Sequence, residues 1–183
     1  TRCAHLYNGM ESLQQRRIGL AAMAMMNDDV WVELIPDGIH IHPGMIDLAC
    51  RCKDHSKIVC ISNSNEAAGL QRDGTFRLGD EYIEIVDGIA HVRGRGDVIA
   101  GSVNCLDENF RALGTYSYLS LGEGVACVGR NAARSIGRND LGEIRPGRRA
   151  DLVVFDADNN VKMTVVKGKI VYRADVAAET TED

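Results

Sequence analysis

Several things are scarce in these 183 residues, and each scarcity excludes something. Basic charge is in deficit, with 21 Lys and Arg against 26 Asp and Glu and a net charge of -5. No basic face therefore builds up for nucleic acid or for an anionic membrane. No apolar run approaches the roughly 20 residues of a membrane-spanning helix, and nothing at the start reads as a charged-then-apolar leader. No two cysteines form a C-x-x-C pair. The cysteines stand apart at 3, 50, 52, 60, 105 and 127, and Cys50, Cys60 and Cys127 lie within apolar patterns. That spacing favours free core thiols in a reducing cytoplasm over a disulfide framework or a zinc–thiolate cluster. A dinucleotide glycine fingerprint is missing too, because Gly94 and Gly96 lack the strand-loop-helix context.

What remains is a globular composition, 45% hydrophobic and 26% charged, long enough for one core with a small appendage. The first third alternates. Residues 1–7 read as a strand, Ile18 to Met26 as an Ala- and Met-rich helix, and Val30–Ile35 as a strand. Gly44–Lys53 follows as a helix with Met45, Ile46, Leu48 and Ala49 as its buried stripe, and Lys57–Ile61 as a strand. A β-α-β-α-β order with short connections predicts a parallel sheet with right-handed crossovers. Met23, Met25 and Met26 are expected in its core.

The stretch from Leu34 to Pro43, LIPDGIHIHP, is where chemistry is expected. It leaves the end of an apolar strand at Asp37-Gly38 and sets His40 and His42 two residues apart before a helix that opens on Pro43. Histidines at i and i+2 of extended chain face the same way, which leaves two readings: one shared pocket, or a pair of surface-loop histidines. Polar groups at the C-terminal end of a parallel strand are where α/β enzymes hold their reacting residues.

Beyond residue 70 the pattern changes. Thr75 to Val92 reads as a hairpin around Asp87-Gly88, a type I′ turn signal. Helices are expected over Asp107–Tyr116, Leu121–Gly129 and Asn131–Ile136. Ala150–Phe155 and Met163–Val166 read as short antiparallel strands, with turns at Asp158-Asn159-Asn160 and Lys167-Gly168-Lys169. Residues 175–183 read as a flexible acidic tail.

HLYNGM at 5–10, DGIHIHP at 37–43, AAGL at 67–70, AGS at 100–102, NAARSIG at 131–137 and GEIRPGRRADLVVFD at 142–156 occur in that order. Together they resemble the C-terminal part of the N-acetylglucosamine-6-phosphate deacetylases, a family of the amidohydrolase superfamily. The last of these segments is common to many amidohydrolases; the first two at this spacing are more specific.

The resemblance implies an α/β fold, the C-terminal portion of a (β/α)8 TIM-type barrel with about three β/α units over 1–137. Residues 75–92 would be a hairpin insertion, and 138–174 would supply strands of a small β-sandwich. It implies a divalent metal, zinc first and iron second, held in part by His5. It also implies a sugar-phosphate substrate touched by Asn8, Gly9, Arg16 and His40, with Arg16 serving the neighbouring subunit of a homodimer. His42 falls where the family varies and is expected to be structural. The activity implied is deacetylation of N-acetylglucosamine 6-phosphate to glucosamine 6-phosphate and acetate, in the cytoplasm and without nucleic acid or membrane.

Two departures stand against this. The family's catalytic aspartate, which takes a proton from the attacking water and passes it to the leaving amine, falls on Asn63. A carboxamide has no basic lone pair for that work, and Glu66 lies three residues further along. Three β/α units also cannot close an eight-stranded barrel. The chain opens on Thr1-Arg2-Cys3-Ala4, already strand-like, so the N-terminal half of the same protein is the expected partner and this chain alone is expected to be inactive. Two other readings stay open: a catalytically dead homologue that binds sugar phosphates, and another amidohydrolase of the superfamily.

Overall fold

The computed structural model describes residues 1–70 and 72–174, so the expected tail at 175–183 lies outside the described residues. Three parallel strands, β1 (Arg2–Cys3), β2 (Trp31–Leu34) and β3 (Ile58–Cys60), form one sheet in the order β1-β2-β3. Helix α1 (Leu20–Met26) connects the first pair and α2 (Pro43–Cys52) the second. This is the alternation the sequence predicts.

The core lies between this sheet and its helices. Val32, Leu34, Ile46, Ala49, Cys50, Ile58 and Leu113 are each fully buried within one cluster. β3 is buried along its whole length. In β2 only Val32 and Leu34 are sealed, while Glu33, on the other face, forms an ion pair with Arg2 at 3.3 Å. Two buried asparagines hold β3 at its ends. Asn131 Nδ2 donates to the carbonyls of His55 (2.7 Å) and Ile58 (2.9 Å), and Asn109 Nδ2 donates to that of Ile61 (2.9 Å).

Some expectations change. The strand read over 1–7 ends after Cys3, because His5 and Tyr7 adopt positive φ (34° and 73°) and turn the chain. Of the methionines expected in the core only Met25 is buried; Met23 and Met26 are 51% and 73% exposed. In α1 the inward face is Ala21, Ala24 and Met25, spaced i, i+3 and i+4. In α2 it is Ile46, Ala49 and Cys50, with Met45 and Leu48 at its margin.

The expected hairpin is a three-stranded antiparallel sheet, β4 (Gly74–Leu78), β5 (Glu81–Val86) and β6 (Ile89–Val92). Its second turn is the expected Asp87-Gly88, with both φ positive, and its first is at Gly79-Asp80. Helices α3 (Leu106–Tyr116), α4 (Leu121–Val128) and α5 (Arg130–Ser135) follow. A third, antiparallel sheet ends the described chain, with β7 (Leu152–Phe155), β8 (Val161–Val166) and β9 (Lys169–Arg173). β9 is exposed throughout. Phe155 meets Phe110 of α3 with ring centroids 5.6 Å apart.

All six cysteines are free. Burial pushes the Cys50 thiol up to about 11 and that of Cys127 to about 12, and raises that of Cys60 as well. Sulfurs so placed stay protonated and pack as small apolar groups.

Candidate functional site

Because β1, β2 and β3 run parallel, the loops leaving their C-terminal ends lie along one edge of the sheet. His5 follows β1, His40 follows β2 and Asn63 follows β3. The backbone extends this pairing beyond the strands, with Leu6 N–H donating to Glu33 O (2.7 Å) and Ile61 N–H to Leu34 O (3.0 Å).

The ring of His5 is exposed, and its Nδ1 lies 3.0 Å from the carbonyl oxygen of Asn8. A carbonyl only accepts, so Nδ1 carries the proton and Nε2 keeps a free lone pair, the form in which imidazole ligates metals. Asn8 Nδ2 donates to Leu6 O at 3.1 Å, which closes the turn. Gly9 continues it at φ +68°. Arg16 is exposed and makes no hydrogen bond or ion pair among the described residues, whereas its neighbour Arg17 is paired with Glu11.

The loop after β2 is tightly built. Asp37 Oδ1 accepts the backbone N–H groups of Ile39 (2.9 Å) and His40 (2.8 Å), and Oδ2 accepts Nδ1 of His40 at 2.6 Å. The Asp37 side chain is fully buried and that of His40 is 6% exposed. Burial alone would raise the Asp37 carboxyl; its hydrogen bonds to the His40 ring and to the two amides outweigh that and hold it below the usual range. Gly38 makes the turn possible. Its φ is +76°, and a Cβ there would lie 3.1 Å from the Tyr116 ring.

The expectation that His40 and His42 share a pocket fails here. The chain bends at 38–41 instead of staying extended, Ile41 turns inward, and His42 is exposed at the N-terminus of α2. There its Nδ1 accepts the N–H of Gly44 at 3.1 Å and caps the helix, with Pro43 as the first helical residue.

Asn63 is exposed at φ +53°, and its side chain makes no hydrogen bond among the described residues. Its carbonyl accepts Ser102 N–H at 2.8 Å, and Asn65 N–H donates back to Ser102 O at 2.8 Å. Gly101, at φ +71°, is required for this clasp, since a Cβ would lie 2.9 Å from the Asn63 oxygen. Glu66 is exposed. Sequence reasoning missed Asp37 as the partner of His40, although an aspartate three residues before a histidine at a strand end is a readable signal. It named AGS without seeing what Gly101 and Ser102 hold.

Among the described residues, one group of potential metal ligands lies close together, Cys105, Asp107 and Glu108. These side chains already serve α3: Glu108 accepts Cys105 N–H at 2.7 Å and Asp107 pairs with Arg111 at 3.0 Å.

The family model described as the amidohydrolase family matches residues 6–171. The chain belongs to the amidohydrolase family. N-acetylglucosamine-6-phosphate deacetylase of Bacillus subtilis (strain 168) is 33% identical over 174 residues, which is 92% of this chain and 42% of that protein. A provisionally named N-acetylgalactosamine-6-phosphate deacetylase of Escherichia coli (strain K12) is 30% identical over 91% of this chain and 98% of its own length.

Among solved structures, N-acetylglucosamine-6-phosphate deacetylase from Thermotoga maritima superposes with a TM-score of 0.88 at 34% identity. That match covers 94% of this amidohydrolase chain and 47% of the other. An aspartate-to-alanine variant of the Mycobacterium smegmatis deacetylase in complex with N-acetyl-D-glucosamine-6-phosphate also gives 0.88, at 32% identity over 93% and 45%. The chain thus spans under half the length of most relatives described and nearly the whole of one. No helix among the described residues is long and apolar enough to cross a membrane.

Proposed function

We propose that this amidohydrolase chain is the C-terminal portion of a divalent-metal-dependent enzyme that hydrolyses N-acetylglucosamine 6-phosphate to glucosamine 6-phosphate and acetate. The observation that carries the reading is the row of His5, His40 and Asn63 along one edge of a parallel sheet, in a chain with relatives named for deacetylation of this sugar phosphate or of its galacto epimer. In the proposed whole, residues 1–137 supply three units of a (β/α)8 barrel with β4–β6 as an insertion, and 138–174 supply part of a β-sandwich. The remaining strands come from the N-terminal half of the same protein, which acts in the cytoplasm as a homodimer.

His5 fits a metal ligand, with its ring fixed by Asn8 and its Nε2 free. One imidazole does not make a site, so the other ligands lie beyond these residues; zinc is the first expectation and iron the second. A divalent cation there supplies Lewis acidity toward the amide carbonyl and lowers the pKa of the attacking water.

The chain's own groups bind and orient the sugar phosphate. The Asn8 amide donates to Leu6 O at 3.1 Å and to His5 O at 3.4 Å, so the Gly9 peptide N–H is the donor this turn offers to phosphate, with no side chain in its way. The exposed guanidinium of Arg16 presents a fork that matches phosphate oxygens. His40 faces the substrate from the middle strand.

The test is acetate release by the intact protein with added zinc, on N-acetylglucosamine 6-phosphate and its galacto epimer in parallel. Release from the gluco sugar is expected; none from either at millimolar concentration overturns the reading. A second reading, saturable binding without turnover, is favoured by the carboxamide at Asn63. It predicts protection by the sugar phosphate against thermal unfolding, and acetate release only after Asn63→Asp.

A further inference from the structure

Resting on that reading, we propose that His40, oriented by Asp37, is the group that accepts the proton from the attacking water and returns it to the departing amine. The edge offers few alternatives. Asn63 is a carboxamide and cannot accept a proton near neutral pH. The free nitrogen of His5 is the one assigned to a cation, and Glu66 is exposed with no hydrogen bond or ion pair among the described residues to hold it in place.

His40 is held as a working base would be. Its Nδ1 donates to Asp37 at 2.6 Å, so the lone pair sits on Nε2. Asp37 is itself fixed by the amides of Ile39 and His40, at 2.9 and 2.8 Å, so the carboxylate cannot swing away and the ring cannot flip. The ring is nearly sealed, with 6% exposure. The ring borders a space of about 10 Å³, bounded also by Asp37, Ile39, Ala90, Ile99, Gly101 and Ser102, close to the size of one water molecule. The facing segments, 88–90 and 99–103, carry no titratable side chain, and Asp37 is the charged group against the ring.

In the reaction, the water oxygen bonds to the acetamide carbonyl carbon as one of its O–H bonds breaks, and that proton goes to Nε2. As the C–N bond breaks, the imidazolium gives the proton to the amine nitrogen. The acetic acid released then ionises, and the amine ends protonated. No oxidant or further reactant enters. His40 is the catalytic residue and Asp37 the positioning one.

The experiment is the pH profile of acetate release by the intact protein with zinc, for wild type, His40→Gln, Asp37→Asn and Glu66→Gln. We expect His40→Gln to lower kcat by about 100-fold or more with KM within about threefold, and to abolish the acidic limb of the profile. Asp37→Asn lowers kcat less and moves that limb to lower pH, because the imidazolium loses its anion. Should His40→Gln fail to fold, Asp37→Asn decides: an unmoved limb overturns the proposal. Release that survives His40→Gln, or a limb that disappears with Glu66→Gln instead, overturns the proposal and leaves the deacetylase reading intact. No release by wild type overturns both.

Discussion

The loops leaving β2 and β3 sit side by side on one sheet edge and are built on opposite plans. After β2, a buried carboxylate accepts three hydrogen bonds within four residues and fixes an imidazole against itself. After β3, the side chain of Asn63 stands exposed, and the loop is tied to a segment about forty residues away by backbone bonds to Ser102 and by the side chains of Ser64 and Asn65, which donate to Asn104 O (2.7 Å) and Ala100 O (3.0 Å). The first arrangement fixes a titratable group; the second fixes a path for the chain and leaves the Asn63 side chain free. Of these two loops, the one after β2 is the one that locks a titratable pair in place.

The contrast can be broken most severely at Asp37. Asp37→Ala strands two amides and a ring nitrogen in a buried turn, and should cost about 3 kcal/mol of unfolding free energy in a denaturant titration. The same group predicts acid behaviour. Its carboxyl pKa is lowered from an ordinary 3.8, so its ionised form stabilises the fold fully above that value. This contribution is lost as pH falls through the lower folded value. Asp37→Asn should flatten the dependence of stability on pH in that window, and an unchanged dependence would show that the pairing contributes nothing.

A smaller effect is expected on the β3 side. Gly101→Ala forces a Cβ to 2.9 Å from the Asn63 carbonyl at φ +71°, and about 2 kcal/mol should be lost as the clasp opens. Hydrogen exchange should then speed up at Ser102 and Asn65 while the amide of His40 keeps its protection. Equal loosening of both loops would erase the distinction drawn between them. Smallest of all, His42→Ala removes a helix cap, at about 1 kcal/mol in thermal unfolding, and should leave substrate binding untouched. A large change in KM would return His42 to the site.

Much of the scaffold was legible because it rests on local pattern. The β-prone run at 30–35, the apolar stripes, and the Asp87-Gly88 turn each point to one structure without help from distant residues. The Gly79-Asp80 turn was missed because the arms around it are as β-prone as those around the next turn. The shared pocket for His40 and His42 assumed extended chain, whereas Gly38 at φ +76° bends it. The left-handed backbone of Asn63 was hidden for a different reason. Asparagine tolerates that conformation but does not demand it, and the deciding contact comes from Gly101 and Ser102. Buried thiols at Cys50, Cys60 and Cys127 followed from the apolar patterns around them; the uneven burial of Met23, Met25 and Met26 did not, because a helix apolar on every side names no inward face.

The fate of the sulfurs has a practical side. Cys50, Cys60 and Cys127 are sunk in the interior and kept protonated, while Cys52 is exposed at the last turn of α2. That helix begins beside His42, so its ten residues carry Cys52 about 15 Å from the start. A thiol-directed dye would attach there first, close enough to sense ligand arrival at the sheet edge and far enough away not to obstruct it.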